Sequence, residues 1–516
     1  VENNSRKKLA TKNVFWGYVG NFIYMFMTFI ARTVFIYTIG STYLGINGLF
    51  TNVLGLLSFT ELGIGTAINF SLYRPVAERD LEKIKSLMKL YKMAYRVIAL
   101  IVTILGLALL PFLPYLINGT EGIEHITIYY LIFLFNSVSS YFVTYKYGLV
   151  SAEQKDYLLT NINTISCVII SIAQIIVLTL FKNFLVYLLA QAVLQLVQKI
   201  FTACYINQKY PYLNDKGAKK LEKSESKRIV TDIRALILHK IGDMSINQTD
   251  NIIISAFINV TLVGMVSNYN LLIGAITSMI TIIFSSIIGS LGNFVVMETR
   301  QRQVELAGVC NFMGFWLYGF SSVCFVVLFQ PFISLWIGEN QLINNAAMIM
   351  IVVNFCLKGE RMVIQNFTVA GGIFKQDQLV PIFESIVNIV LSLLFVQRYG
   401  LVGVYLGTFI SSLLPNFFKP YIVYKYLFET SIKMYLGKYL RENIFLIVTT
   451  VFIAFVTHPL TVNVTWLKFI ILTIITILLS NGLILVFYHK TKEFKYLKKE
   501  ILRIVKGIKN RRAITR

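Results

Sequence analysis

Five polar residues, Asn354, Lys358, Arg361, Gln365 and Thr368, recur at helical spacing inside the otherwise apolar segment Ile343 to Ala370. Placing a charge at the centre of a bilayer costs roughly 3 kcal/mol or more, so a cation found there normally faces a protein interior or a water-filled path. Lys358 and Arg361 stand one turn apart near the middle of the segment, with Glu360 on a different face. A guanidinium grips a phosphate through a bidentate fork and an ammonium acts as a point charge, so this pair suits a phosphate or diphosphate. The competing assignment is an ion pair with Glu384 of the next segment.

Other polar faces follow the same logic. Asn21, Thr28 and Arg32 share a face of the first apolar segment; Asn47, Thr51, Ser58, Glu61, Gly65 and Asn69 form a stripe on the second. Arg32 lies too deep to reach the interface easily by snorkelling, so it faces a cavity or pairs with a carboxylate such as Glu61. Glu61 is a lone carboxylate at mid-membrane, and a group whose charge depends on a neighbouring cation can couple transport to an ion. His239, Asp243, Asn247 and Asp250 recur on one face of a later segment, with His239 expected at the interface. The segment after it carries Asn270, Gly274, Thr277, Thr281 and Ser285. Serines, threonines and glycines at this spacing read as close helix packing. There is no GxxxxGKS phosphate loop, HExxH or Cys and His cluster, so neither catalysis nor a cofactor is expected.

The elements that position these residues are membrane spans. The chain has 516 residues, 56% of them hydrophobic and 14% charged, with a mean hydropathy of +0.67, which excludes a soluble globular protein. A span needs about 20 apolar residues. About fourteen segments qualify, at 13–38, 43–73, 88–112, 124–149, 158–181, 184–206, 235–258, 262–296, 306–330, 343–370, 380–399, 402–426, 443–460 and 465–488. The net charge of +23 sits in the connections between spans, which favours anionic membrane lipids over nucleic acid as the partner. Arg6, Lys7 and Lys8 precede the first span, Arg74, Arg79 and Lys83 follow the second, and Lys216, Lys219 and Lys220 follow the sixth. The positive-inside rule then places both termini in the cytoplasm. Cys167, Cys204, Cys310, Cys324 and Cys356 are scattered through apolar spans and read as small core residues. No removable signal peptide is expected, the first span serving for insertion.

The long polar stretch after the sixth span divides the chain, and the two parts repeat. Sliding the chain by 219 residues sets Tyr43-Leu44-Gly45 on Leu262-Val263-Gly264 and Phe50 on Tyr269. The expected organisation is an N-terminal six-helix lobe (1–206), a basic cytoplasmic linker (207–234), a C-terminal six-helix lobe (235–428), accessory helices thirteen and fourteen (429–489) and a basic amphipathic tail (490–516).

The runs Tyr43-Leu-Gly-Ile-Asn-Gly-Leu-Phe, Glu61-Leu-Gly-Ile-Gly-Thr-Ala-Ile, Ser71-Leu-Tyr-Arg-Pro, Thr249-Asp-Asn-Ile-Ile-Ile-Ser and Tyr399-Gly-Leu-Val-Gly-Val-Tyr resemble the polysaccharide transporter (Wzx-like) family of bacterial lipid-linked oligosaccharide flippases. The resemblance implies an all-α polytopic membrane protein of the multidrug, oligosaccharidyl-lipid and polysaccharide (MOP) exporter superfamily, with two six-helix lobes in a V (MATE- and MurJ-like) and an extra helix pair. It further implies alternating-access transport of undecaprenyl-diphosphate-linked oligosaccharide for capsule, exopolysaccharide or teichoic acid synthesis. Arg32, Lys358 and Arg361 would hold the diphosphate, Asn47, Asn270 and Gln365 the sugars, and Glu61, Asp243 or Asp250 would couple a proton or sodium gradient. A bacterial plasma-membrane location and contact with the polysaccharide synthesis machinery go with this reading. Its rivals are a cation-coupled multidrug antiporter and, further off, a membrane polymerase or glycosyltransferase, for which the external connections are short, or a scaffold without transport.

Overall fold

A computed structural model describes residues 2–61, 64–119, 123–214, 248–500 and 502–503. Asp243, His239 and Asn247, most of the 207–234 linker and the tail beyond 503 lie outside the described residues. The long helices are α1 (Glu2–Leu57), α2 (Ile64–Glu78), α3 (Leu81–Ala108), α4 (Ile126–Thr144), α5 (Asp156–Phe181), α6 (Phe184–Lys209), α7 (Val260–Met297), α8 (Arg300–Ile337), α9 (Asn345–Gly371), α10 (Val380–Tyr426), α11 (Lys433–Thr461) and α12 (Trp466–Tyr488). A backbone crossing lipid must satisfy its own hydrogen bonds, and helices do so within one segment.

Ten helices among the described residues are long and apolar enough to cross a membrane, so this is a multi-pass membrane protein. Two of the ten each join a pair of expected spans. Gly40 breaks α1 at φ 85° and Gly400 breaks α10 at φ 54°, backbone conformations that glycine adopts at little cost. Helix α9 falls outside the ten because Lys358, Glu360 and Arg361 interrupt its apolar run. The seventh segment is described only from residue 248. The count of about fourteen is therefore approximate, while the all-helical membrane architecture holds.

Contacts divide the chain into two compact units, residues 1–267 and 268–516. The division falls inside α7. In the first unit α1 packs most extensively on α5, with α5 on α6 and α4 on α6 completing the bundle. Residues 41–45 and 260–264 meet backbone to backbone. A Cβ on Gly45 would strike the Val260 carbonyl, a Cβ on Gly264 would strike the Ser41 carbonyl, and the Thr42 and Thr261 hydroxyls hydrogen-bond at 3.0 Å. Thr42 and Thr261 are 219 residues apart, the register of the sequence repeat, and the same shift carries Ser41 onto Val260 and Gly45 onto Gly264, so the two glycine contacts exchange with one another. Reciprocal contact of this kind is what a local two-fold axis produces.

The second unit is built around α8, α9 and α10, and α11 and α12 lie against α8. Phe312, Phe315, Val323 and Val327 of α8 join Leu446 and Ile453 of α11 and Leu472, Ile484 and Tyr488 of α12 in one buried cluster. Asn481 accepts a hydrogen bond from the Trp316 indole at 3.0 Å. Helices α9 and α10 are joined by polar groups. Asn354 donates to the Tyr405 carbonyl at 3.0 Å, and Lys419 bonds both Gln365 and the fully buried Asp377, at 2.5 and 2.8 Å.

Valine at Gly264 has nowhere to place its side chain except into the backbone at Ser41. The Gly264→Val variant is expected to lose about 1–3 kcal/mol, read as a lowered thermal midpoint in detergent. A midpoint equal to wild type would show that residues 41–45 and 260–264 do not approach this closely.

Candidate functional site

A cavity of about 750 Å³ opens within the first unit. Helix α1 contributes Asn21, Tyr24, Thr28 and Asn47, α5 contributes Thr160, Asn163, Thr164, Ser171 and Gln174, and α6 contributes Gln191, Gln195 and Gln198. On α5 and α6 these positions recur at three- and four-residue steps, so each helix presents one polar stripe while its other faces remain apolar. The amides are held in place by one another. Gln174 donates to the Tyr187 hydroxyl at 3.0 Å and to Gln191 at 3.2 Å, and Gln198 donates to Asn163 at 3.0 Å. None of the described lining residues is charged. Carboxamides offer two donors and an acceptor, and hydroxyls offer both roles, so the wall matches a ligand that is neutral, polyhydroxylated and hydrated. Its volume lies within the usual range for small-molecule sites.

Of the residues singled out from sequence, Asn21, Thr28 and Asn47 line this cavity and Arg32 stands beside it. Arg32 donates to the Ser267 hydroxyl at 2.8 Å and lies near Tyr24, a lining residue, and Tyr187, the partner of Gln174. Glu61 does not reach it. Arg32 precedes the Gly40 break by roughly 12 Å of helix and Glu61 follows it by roughly 31 Å, so at any break angle they are at least roughly 19 Å apart. Glu61 instead accepts a hydrogen bond from the Tyr95 hydroxyl at 2.6 Å. Asp250 is half-buried.

In the second unit the polar stripe of α9 is largely engaged inside the protein. Arg361 bonds Glu384 of α10 at 2.7 Å, with the carboxylate side chain 2% exposed, and Gln365 accepts from Lys419. The stripe thus forms a seam with α10 in which Arg361 and Gln365 are engaged and partly exposed. Lys358 is half-buried and Asn270 is exposed.

The sequence reading missed the amides of α5 and α6, and it missed a second cavity of about 580 Å³ in the second unit, lined in part by Glu360, Tyr435, Lys438, Tyr439, Glu442 and Glu493. Glu360 and Glu442 are both buried; Glu360 accepts from Asn443 at 3.3 Å. Lys438 bonds Glu493 at 2.8 Å. Glu493 lies beyond the end of α12. Burial pushes its carboxyl up most strongly of any single influence, but the Lys438 hydrogen bond, a backbone hydrogen bond and the charges of Lys438 and Arg441 together hold it below the usual range.

A family model described as polysaccharide biosynthesis protein matches residues 10–288. Among solved structures, the chain is similar to the lipid II flippase MurJ in an inward closed conformation, with 16% identity and a TM-score of 0.64 over 92% of this chain and 98% of that one. It is also similar to an inward-facing multidrug resistance MATE family transporter of the MOP superfamily, with 15% identity and a TM-score of 0.59 over 77% and 92% of the two chains. A MATE transporter from Vibrio cholerae gives 14% identity and a TM-score of 0.55 over 83% and 99%. At these identities the likeness is one of fold. No curated protein sequence matches the chain.

The Arg361 and Glu384 pairing has a measurable consequence. Removing one member of a buried pair costs about 3–5 kcal/mol, whereas replacing both by apolar groups is often neutral. Arg361→Met alone is expected to unfold well before wild type, and Arg361→Met with Glu384→Met to recover most of the difference in a thermal scan. Equal midpoints for the single variant and wild type would show the guanidinium to be exposed and available to a ligand.

Proposed function

The chain belongs to the polysaccharide biosynthesis protein family, and from that premise we propose that it is a flippase for oligosaccharide repeat units linked to undecaprenyl diphosphate. It moves them across the bacterial plasma membrane by alternating access, for capsule, exopolysaccharide or teichoic acid assembly. The observation that carries this reading is the cavity walled by amides and hydroxyls. A glycan crossing a bilayer loses its water, and each hydroxyl left without a partner costs about 1–3 kcal/mol, so a route for sugars must replace those hydrogen bonds. Arg32, beside the cavity, supplies the cation for the diphosphate as the head group is drawn in. Lys358 serves the same charge at another stage of transport, and Asn47 and Asn270 touch sugar hydroxyls.

An organic cation, the substrate of a drug antiporter, favours a carboxylate-lined cavity, and the described lining of this cavity has no carboxylate. The protein acts as a transporter rather than an enzyme. A proton or sodium gradient drives it, with Glu61 and Asp250 as coupling carboxylates. Basic connections between spans keep both termini in the cytoplasm and hold the anionic leaflet, and the polysaccharide synthesis machinery supplies the substrate there.

The test is outer-leaflet exposure of a fluorescent undecaprenyl-diphosphate oligosaccharide in liposomes. Wild type is expected to expose it rapidly. Asn21→Leu with Gln195→Leu removes two polar partners at about 0.5–1.5 kcal/mol each, which slows exposure roughly tenfold while the thermal midpoint stays near wild type. Proton-linked exchange of drug cations without lipid exposure would overturn the proposal.

A further inference from the structure

The polar cavity of the first unit adjoins an apolar groove, and the two share a wall. The groove, about 460 Å³, runs between α5 and α6 and is lined by Leu158, Ile162, Ile165, Ile169, Val197 and Phe201 among others. Ile170 and Gln198 line both the groove and the cavity. On α5 the cavity takes positions 160, 163, 164, 167, 171 and 174 while the groove takes 158, 161, 162, 165, 166 and 169. One helix therefore offers a polar face to the cavity and a mainly apolar face, interrupted by Asn161 and Ser166, to the groove. On α6 the change of character occurs within two turns, from Gln195 and Gln198 to Val197 and Phe201.

The groove walls are open toward the surroundings of the bundle. Ile165 is 62% exposed, Ile169 54%, Val197 56% and Phe201 58%, values that leave about half of each side chain for a ligand or lipid to cover. The hydrogen bond from Gln198 to Asn163, 3.0 Å long and exposed, is the sill between the two spaces. Near the end of the groove, Tyr205 lies in its wall, and Lys209 stands 5.8 Å from the Tyr205 ring. On the same end of the bundle, Lys12 stands 5.3 Å from the ring of Tyr157, at the start of α5. An apolar trough that ends among cations on one side and opens over a sill into an amide-walled chamber on the other is the shape of a molecule with a hydrocarbon chain, an anionic joint and a polyhydroxylated head.

We propose that the groove between α5 and α6 seats the first isoprene units of the substrate's polyprenyl chain while its glycan enters the cavity over the Asn163 and Gln198 sill. This rests on the flippase reading and adds to it the entry route. The chain stays on the apolar side of the sill because hydrocarbon is excluded from a water-filled, amide-walled cavity, and leaving it in the apolar medium spares the protein a closed channel for the lipid. The head crosses the sill because the Gln198 and Asn163 amides can exchange their mutual bond for bonds to sugar hydroxyls, with little net change in hydrogen bonding. The occupant is the substrate's own prenyl chain rather than a bulk acyl chain, since the groove is continuous with a cavity that a phospholipid head group, lacking a glycan, does not fill.

The experiment uses the full-length protein in nanodiscs with an undecaprenyl-diphosphate oligosaccharide carrying a diazirine on the isoprene next to the diphosphate. After photolysis, adducts are mapped by peptide mass spectrometry, alongside a phosphatidylglycerol probe carrying the diazirine on its acyl chain. Adducts on residues 158–170 and 194–205, at least fivefold above those from the phosphatidylglycerol probe and competed by unlabelled lipid-linked oligosaccharide, are the expected result. Adducts concentrated on α11 and α12, or equal labelling by both probes, would overturn the inference even where the liposome assay shows flipping. If wild type neither flips nor is labelled, the flippase reading falls and this inference with it. As a second readout, Ile165→Trp with Val197→Trp fills the groove and is expected to slow flipping at least fivefold at an unchanged thermal midpoint; unaltered flipping would also overturn it.

Discussion

A polar side chain on a helix that crosses lipid has to find a partner, a protein interior or water. Two outcomes are visible here. On α9, Asn354, Arg361 and Gln365 of the stripe are met by α10, at the Tyr405 carbonyl, at Glu384 and at Lys419. These three act as adhesive between helices. On α5 and α6 the carboxamides outnumber their mutual bonds, and the surplus lines a cavity beside α1. The same chemical pressure thus yields a seam in one unit and a chamber in the other, according to whether the facing helix supplies complementary groups.

Backbone geometry sets where those helices can stand. Gly40 lets α1 change direction between its two spans, so that Asn21 and Thr28 before the break and Asn47 after it border one cavity. A few residues further on, Gly45 and Gly264 remove the side chains that would hold residues 41–45 away from 260–264. The reciprocal pairing at a spacing of 219 gives physical meaning to a repeat whose individual identities are weak. Equivalent small residues are required on both sides because each must admit the other's carbonyl.

Much of this architecture is legible in the amino-acid sequence alone. Apolar length marks the spans, and glycine-containing motifs such as Tyr43-Leu-Gly-Ile-Asn-Gly and Tyr399-Gly-Leu-Val-Gly point to the family and fall beside the two helix breaks. Spacing also shows that Arg361, Lys358 and Gln365 share a face. It does not show what that face meets. Glu384, twenty-three residues on, is the competing partner that the sequence offers, and the Arg361 ion pair with it is present in the structure. Gln191, Gln195 and Gln198 have the same kind of spacing as the α9 stripe but carry no charge, and it is charge that makes the α9 stripe conspicuous. Glu360 looks isolated in sequence because the residues around it, Tyr439, Glu442 and Asn443, come from α11, a helix that its apolar composition marks as accessory. Of the stripe that begins at Asn47, Asn47 itself borders the cavity.

The central claim is that the amide-walled cavity of the first unit recognises the glycan of a lipid-linked substrate. The most direct measurement is a cryo-electron-microscopy map of the protein in nanodiscs saturated with an undecaprenyl-diphosphate oligosaccharide. The account expects sugar density among Asn21, Asn47, Gln191 and Gln195. Well-ordered ligand density confined to the second unit's cavity around Glu360 and Glu442, with the α1, α5 and α6 cavity holding only water, would contradict it.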